Sequence, residues 1–202
     1  VFSLEMSNEQ LALRLISGEA LVDSKKLRTG LLDDDEWVAI AHASETLANT
    51  KIYLADATGI TVNEMKAKCR RLGEEIGLVI IDYLQLVQSG IRADSRTNEV
   101  AAISRALKIM AKDLNVPILC LSQLSRESDK QGRRPRLSDL RESGAIEQDA
   151  DVVMILFRED KESPERVKLL VEKNRHGSTG DIDLHWDGKY TKFTSLENTY
   201  DY

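Results

Sequence analysis

Four apolar residues, Leu78 to Ile81, run straight into a single carboxylate, Asp82. Such a run reads as a strand buried on both faces of a parallel sheet, and an acid at its carboxyl end sits where α/β sheets bind ligands. Asp82 is therefore a candidate holder of Mg2+, which phosphoryl-transfer sites secure through one or two carboxylates and waters. The plainer alternative is an acid that caps the next segment. The design recurs at Pro117 to Leu121, an apolar strand that delivers Ser122 and Gln123 to the same edge. Gln123 either offers its amide to a terminal phosphate or bonds backbone in a turn. A third apolar stretch, Val167 to Val171, leads into Lys173, Arg175 and His176. Lys173 and Arg175 stand two apart, so on an extended segment they project to one face, and paired cations there stabilise charge developing on a transferred phosphate. A solvated strand end is the alternative. Strand tips carrying an acid, an amide and two cations suit binding and hydrolysis of a nucleoside triphosphate.

Two further groups bear on that chemistry. Glu5 closes an opening apolar strand, Val1 to Leu4, just before a helix start. It either takes a proton from a water attacking a terminal phosphate or is a solvated acid in a first helical turn. The loop Arg141-Glu142-Ser143-Gly144 offers a cation and backbone amides, groups that hold the phosphates of a nucleic-acid strand without reading bases, and Gly144 permits close approach of its backbone. No aromatic residue lies between Arg126 and Ala150, so backbone contact is favoured there over base stacking. His42, His176 and His185 have no ligand-like spacing.

The elements that must position these groups follow from periodicity and caps. Ser7 with Gln10 has capping-box spacing ahead of Leu11, Leu13, Leu15 and Ile16, which predicts a helix with an apolar face. Asp33 to Glu36 place negative charge at the start of a second helix running through Trp37, Ile40, Ala41 and Leu47. Residues 51 to 54 read as a short strand. Thr61 with Glu64 opens a helix that ends near Gly73, and the strand at 78 to 82 follows at once. A polar loop covers 88 to 97. Val100, Ile103, Leu107, Met110 and Leu114 recur at helical spacing, then a strand spans 117 to 122. The segment 126 to 141 is loop-like, strands lie near 151 to 157 and 166 to 172, and 181 to 193 alternates as a hairpin around Asp187-Gly188. We expect one α/β domain over 1 to 202, with a largely parallel core and antiparallel strands at its end.

Composition excludes several classes. At 42% hydrophobic and 31% charged residues the chain is globular, and no apolar run nears the roughly 18 residues of a membrane span. The net charge of −6 argues against coating nucleic acid with the whole surface, yet 126 to 141 holds six cations against three acids. Cys69 and Cys120 lack metal-type spacing and read as reduced, buried packing in a cytoplasmic protein.

As an ordered set, FSLEMS (2 to 7), DYLQL (82 to 86), LSQLSR (121 to 126), SDLRESGAIEQDAD (138 to 151) and KNRHGSTG (173 to 180) resemble the motor domain of the bacterial replicative DNA helicase, or DnaB, family over nearly the whole chain. The resemblance implies a RecA-like fold with a mainly parallel central sheet flanked by helices and an antiparallel carboxy-terminal extension. It implies that Glu5 polarises the attacking water, that Asp82 orders Mg2+, and that Gln123 senses the γ-phosphate and is linked to the DNA loops. It further implies that Arg175 is an arginine finger with Lys173 its companion, both reaching ATP held by a neighbouring subunit, and that Arg141, Glu142 and Gly144 follow single-stranded DNA through a homo-hexameric ring. Primase and a helicase loader are the implied partners.

One departure from that pattern matters. No G-x-x-x-x-G-K-[ST] phosphate loop lies in these 202 residues, and the expectation is that it precedes FSLEMS in a longer parent. The chain by itself is then expected to bind nucleotide poorly. A recombination or repair ATPase of the RecA-like kind, and a nucleic-acid-binding module without catalysis, are the competing expectations.

Overall fold

The computed structural model describes residues 1–73, 76–90, 93–125, 133–140, 144–160 and 162–196. Two compact units emerge, one formed by Val1–Asn8 with Tyr53–Val153, the other by Glu9–Ile52 with Met154–Tyr202.

The first unit is built on a parallel sheet of four short strands, β1 (Phe2–Ser3), β2 (Ala55–Asp56), β3 (Val79–Asp82) and β4 (Ile118–Cys120), in the order β2-β1-β3-β4. Parallel neighbours need crossovers, and helices supply two of them. Helix α4 (Val62–Leu72) precedes β3, and α5 (Arg96–Leu114) precedes β4. Helix α4 opens on the expected reciprocal cap: Thr61 Oγ1 accepts from the Glu64 N–H while the Glu64 carboxylate accepts from the Thr61 N–H. It closes at Gly73, whose φ of 78° suits glycine. In α5 the predicted stripe faces inward, with Val100, Ile103, Leu107 and Met110 all buried. These side chains join Phe2, Met65, Val79 and Ile81 in one core. A short helix, α6 (Gly144–Asp149), ends this unit.

The second unit carries helices α1 (Asn8–Ala20, all but its first residue), α2 (Ser24–Thr29) and α3 (Asp34–Ala48), together with a sheet β5 (Val152–Phe157, all but its first two residues), β6 (Arg166–Asn174), β7 (Gly180–Asp187) and β8 (Lys192–Ser195) in that spatial order. Strands β6, β7 and β8 pair antiparallel, with the turn at Asp187-Gly188 as predicted. Trp186 and Phe193 face each other across β7 and β8, ring centroids 4.5 Å apart. Leu170 and Val167 are buried on β6. The Asp33–Glu36 capping box forms at the start of α3.

Two expectations need correction. The strand placed at 51 to 54 forms instead at Ala55–Asp56, because pairing starts where the Ala55 N–H reaches the Val1 carbonyl. Helix α1 exists, but its leucines form no buried face: Leu13 and Leu15 are exposed, Leu11 and Ile16 are half-buried, and Ser17 is the residue buried. Residues two apart on a helix point to nearly opposite sides, so Leu13 cannot share a face with Leu11 and Leu15, which stand four apart.

Candidate functional site

Strand register collects three of the predicted groups along one edge. Ser3 lies level with Asp82 across β1 and β3, and Ile81 lies level with Cys120 across β3 and β4. The ladder continues past the strands: the Leu4 N–H donates to the Asp82 carbonyl at 2.8 Å, the Leu121 N–H to the Ile81 carbonyl at 2.9 Å, and the Leu84 N–H to the Leu121 carbonyl at 2.9 Å. Glu5, Asp82 and the Ser122-Gln123 pair therefore leave adjacent parallel strands at their carboxyl ends, the edge where such sheets bind ligands. Ser3 shapes the turn that carries Glu5, its buried hydroxyl donating to the Met6 carbonyl at 2.7 Å and accepting from the Met6 N–H at 3.2 Å.

Glu5 is exposed and Asp82 half-buried, and among the described residues neither carboxylate makes a hydrogen bond or ion pair. Two acids held at a sheet edge without protein partners are free to serve a ligand. The Asp82–Tyr83 peptide is cis. Beside them, burial and then the Asp82 carboxylate push the Cys120 thiol up to about 12, so it stays protonated and unreactive near neutral pH.

A residue that sequence reasoning left unnamed ties this edge together. Gln85, in the 3-10 turn Leu84–Leu86 just after β3, donates from Nε2 to Ser122 Oγ at 3.0 Å and accepts at Oε1 from the Gln123 N–H at 3.4 Å. Its backbone carbonyl accepts from the guanidinium of Arg96, the first residue of α5.

The SDLRESGAIEQDAD segment is pinned at both ends by its own carboxylates. Asp139, almost wholly buried, accepts from Arg133 at 2.7 and 2.6 Å and from the Arg136 N–H at 2.8 Å. The Arg133 guanidinium, and after it that N–H, hold the Asp139 carboxyl below the usual carboxylate range. At the far end, Asp149 accepts from Ser104 Oγ at 3.0 Å and pairs with Arg105 at 3.3 Å, while Asp151 pairs with Lys108. Between these anchors lies the predicted DNA loop. Arg141, Glu142 and Ser143 fall outside the described residues, and Gly144 opens α6, exposed, with nothing within 4 Å of where a Cβ would stand.

Lys173 and Arg175 belong to the other unit, and the expectation that one extended segment presents both is corrected. Lys173 is inside β6 and half-buried, whereas Arg175 lies in the turn toward β7 and is exposed. The turn is organised by Asn174, whose Nδ2 donates to the Ser178 carbonyl at 3.2 Å. The two-residue rule fails there because the chain has left the extended state.

No group of three or more His, Cys, Asp or Glu side chains among the described residues could by itself hold a metal, and no described helix is long and apolar enough to cross a membrane.

The parallel sheet with its helices is that of RecA-like helicase ATPase domains. Superposition on a solved DnaB-like replicative helicase, described with its interactions with primase, gives a TM-score of 0.91 at 36% identity, covering 97% of this chain and 50% of that one. A second solved structure, described as an ATPase domain, gives 0.90 at 37% identity, covering 97% and 73%. The chain belongs to the DnaB-like helicase C-terminal domain family, whose model matches residues 1–195. It is 45% identical to the replicative DNA helicase DnaC of Bacillus subtilis strain 168 and 43% identical to DnaB of Geobacillus stearothermophilus, each match covering 100% of this chain. It spans 46% of the length of each relative.

Proposed function

We propose that this chain is the motor portion of an ATP-driven replicative DNA helicase that works as a homo-hexameric ring, translocating on single-stranded DNA and unwinding duplex at the fork. The observation that carries the reading is the sheet edge, where Glu5, Asp82 and Gln123 stand on adjacent strand ends with both carboxylates uncommitted. The family match supports the motor over the recombination ATPase and over a module without catalysis.

In this proposal Glu5 takes the proton of the attacking water and Gln123 contacts the γ-phosphate. A lone half-buried carboxylate with no protein partner fits a Mg2+ ligand, since that ion keeps most of its waters and binds through one or two carboxylates plus substrate phosphates. Asp82 would hold it, and when bound it neutralises phosphate charge. Lys173, at the end of β6, and Arg175, in the turn that follows, are assigned to the neighbouring subunit's nucleotide. Arg141, Glu142 and Gly144 are assigned to the DNA backbone, and the open space around Gly144 leaves room for a strand to approach. Primase, named with the solved DnaB-like helicase, and a loader are proposed partners in a cytoplasmic setting.

The test uses the full-length protein. Glu5→Gln keeps the side-chain shape but cannot take a proton, so ATP binding persists while hydrolysis falls about 100- to 10,000-fold. Steady-state hydrolysis within twofold of wild type refutes the assignment.

A further inference from the structure

Helix α3 exposes Trp37 and Val38, but nothing in the structure shows what covers them, and Cys120 is a lone thiol. The amide of Gln85, by contrast, is bonded at both ends to the strand tip that carries Gln123.

We propose that Gln85 is a positioning residue that fixes Gln123 against the Asp82 strand, so that the amide assigned to the γ-phosphate is aimed before nucleotide arrives. This rests on the function proposed above. A neutral amide at position 85 serves both contacts. The Gln123 backbone N–H can only donate, so it must face Oε1, which leaves Nε2 to donate to Ser122 Oγ. A carboxylate could meet both only with the Ser122 hydroxyl turned to donate, and would set a second negative charge near Asp82, whereas an aliphatic side chain makes neither bond. One side chain thereby registers two consecutive residues, as no single-ended group can.

Gln85 itself is held on the far side. Arg96 donates to its carbonyl and pairs with Glu99 at 2.6 Å, and the Leu84 N–H to Leu121 carbonyl bond fixes the turn to β4's extension. The chain of contacts thus runs from the start of α5, through the turn after Asp82, to the sensor. The two side-chain bonds are unequal. The 3.0 Å bond to Ser122 is ordinary, whereas 3.4 Å to the Gln123 N–H is long, so Ser122 carries more of the tether and Gln123 keeps a little freedom to shift on meeting phosphate.

Full-length protein carrying Gln85→Leu tests this through DNA-stimulated ATP hydrolysis. Misplacing a catalytic group by about 1 Å costs on the order of 100-fold, so kcat should fall by up to that factor while the KM for ATP and the melting midpoint stay near wild type. Gln123→Ala should fall comparably. The decisive variant is the double mutant, which should be no slower than Gln123→Ala alone if Gln85 acts only through Gln123. Ser122→Ala, which removes the shorter bond and leaves Gln85 in place, should lower kcat less and likewise add nothing to Gln123→Ala. That pair carries the test if Gln85→Leu does not fold. Single effects that multiply in the double mutants overturn the proposal, as does a Gln85→Leu rate within twofold of wild type beside an impaired Gln123→Ala. A Gln123→Ala enzyme at wild-type rate would instead remove the sensor role, and the Gln85 role with it, while leaving the Glu5 result to judge the motor.

Discussion

Truncating Asp149 should weaken DNA binding without touching either proposed ligand site, and the structure gives the size of the effect. Asp149 is the last residue of α6, whose first residue, Gly144, belongs to the proposed DNA loop. Its carboxylate makes two contacts to α5. The bond from Ser104 Oγ is 3.0 Å long and joins side chains that are mostly buried; a hydrogen bond to a charged group in such a place is worth about 1.5–3 kcal/mol. The contact from Arg105 is 3.3 Å long and its side chain is 71% exposed, so it contributes on the order of 0.5 kcal/mol or less. Ser104 therefore dominates. Asp149→Ala should cost about 2 kcal/mol of local order, a factor of about 30 in the ordered population. Ser104→Ala should reproduce most of that loss and Arg105→Ala very little. The assay is fluorescence anisotropy of the full-length protein on labelled single-stranded DNA, with hydrogen exchange over 144–151 reporting the order directly. Arg105→Ala weakening binding more than Ser104→Ala would refute the reasoning, as would unchanged exchange in Asp149→Ala.

Two other outcomes follow from the same geometry. The Asp139 carboxyl is held low by Arg133, so its stabilisation of segment 133–140 is complete above the unfolded carboxyl value of about 3.9 and disappears as pH falls through the lower folded value; exchange protection in that segment, taken relative to the intrinsic rate at each pH, should fall only in this acid window, and Asp139→Asn should remove the pH step. If Arg175 completes a neighbour's site, Arg175→Ala should lower turnover about 1,000- to 100,000-fold with nucleotide binding spared. Mixing it with a phosphate-loop mutant of the same parent should then restore some hydrolysis, and verified mixed rings without recovery at any ratio would refute the trans role.

What could be read from sequence divides along the distance over which each feature is determined. Helix α5 and the Thr61–Glu64 capping box were legible because a 3.6-residue stripe and a four-residue cap are local patterns enforced by local hydrogen bonds. The tips at Asp82 and Gln123 were legible for a related reason: an apolar run ending in a polar group marks a strand reaching an edge, although Leu78, Leu119 and Leu121 are exposed rather than buried as a two-sided burial would have it. The order β2-β1-β3-β4 was not, since it arises from pairing between segments distant in the chain, such as Phe2 with Ala55 and Val79 with Ile118. The same non-local pairing moved the strand expected at 51 to 54, whose Ile52 and Tyr53 are exposed. Gln85 stayed hidden because its meaning depends on a contact with Ser122 across 37 residues of chain. Its place inside DYLQL was the available signal. Likewise the acids of SDLRESGAIEQDAD hint at recognition chemistry in a sequence, yet Asp139, Asp149 and Asp151 are all spent on structural pairs.

Those pairs bear on how an ATP-sensing edge would reach DNA in the proposed motor. Two residues beyond Gln123, the Ser125 N–H donates to the Asp139 carbonyl at 2.8 Å, and Leu124 bridges Leu140 antiparallel. Leu140 is buried and directly precedes Arg141. A displacement of Gln123 on phosphate binding therefore meets backbone bonds, which transmit register better than exposed side chains do, within one residue of the proposed DNA loop. The loop's other end is tied to α5 through Asp149, and α5 begins at Arg96, which holds Gln85. Sensor and DNA loop thus share both of their supports, the Asp139 turn and α5. That closed circuit favours a two-position element, because a shift at one support must be met at the other. Two polar contacts, Gln85 to Ser122 and Asp149 to Ser104, each carry most of the side-chain tether in their half of the circuit, so removing either should uncouple nucleotide from DNA while the apolar core under both remains intact.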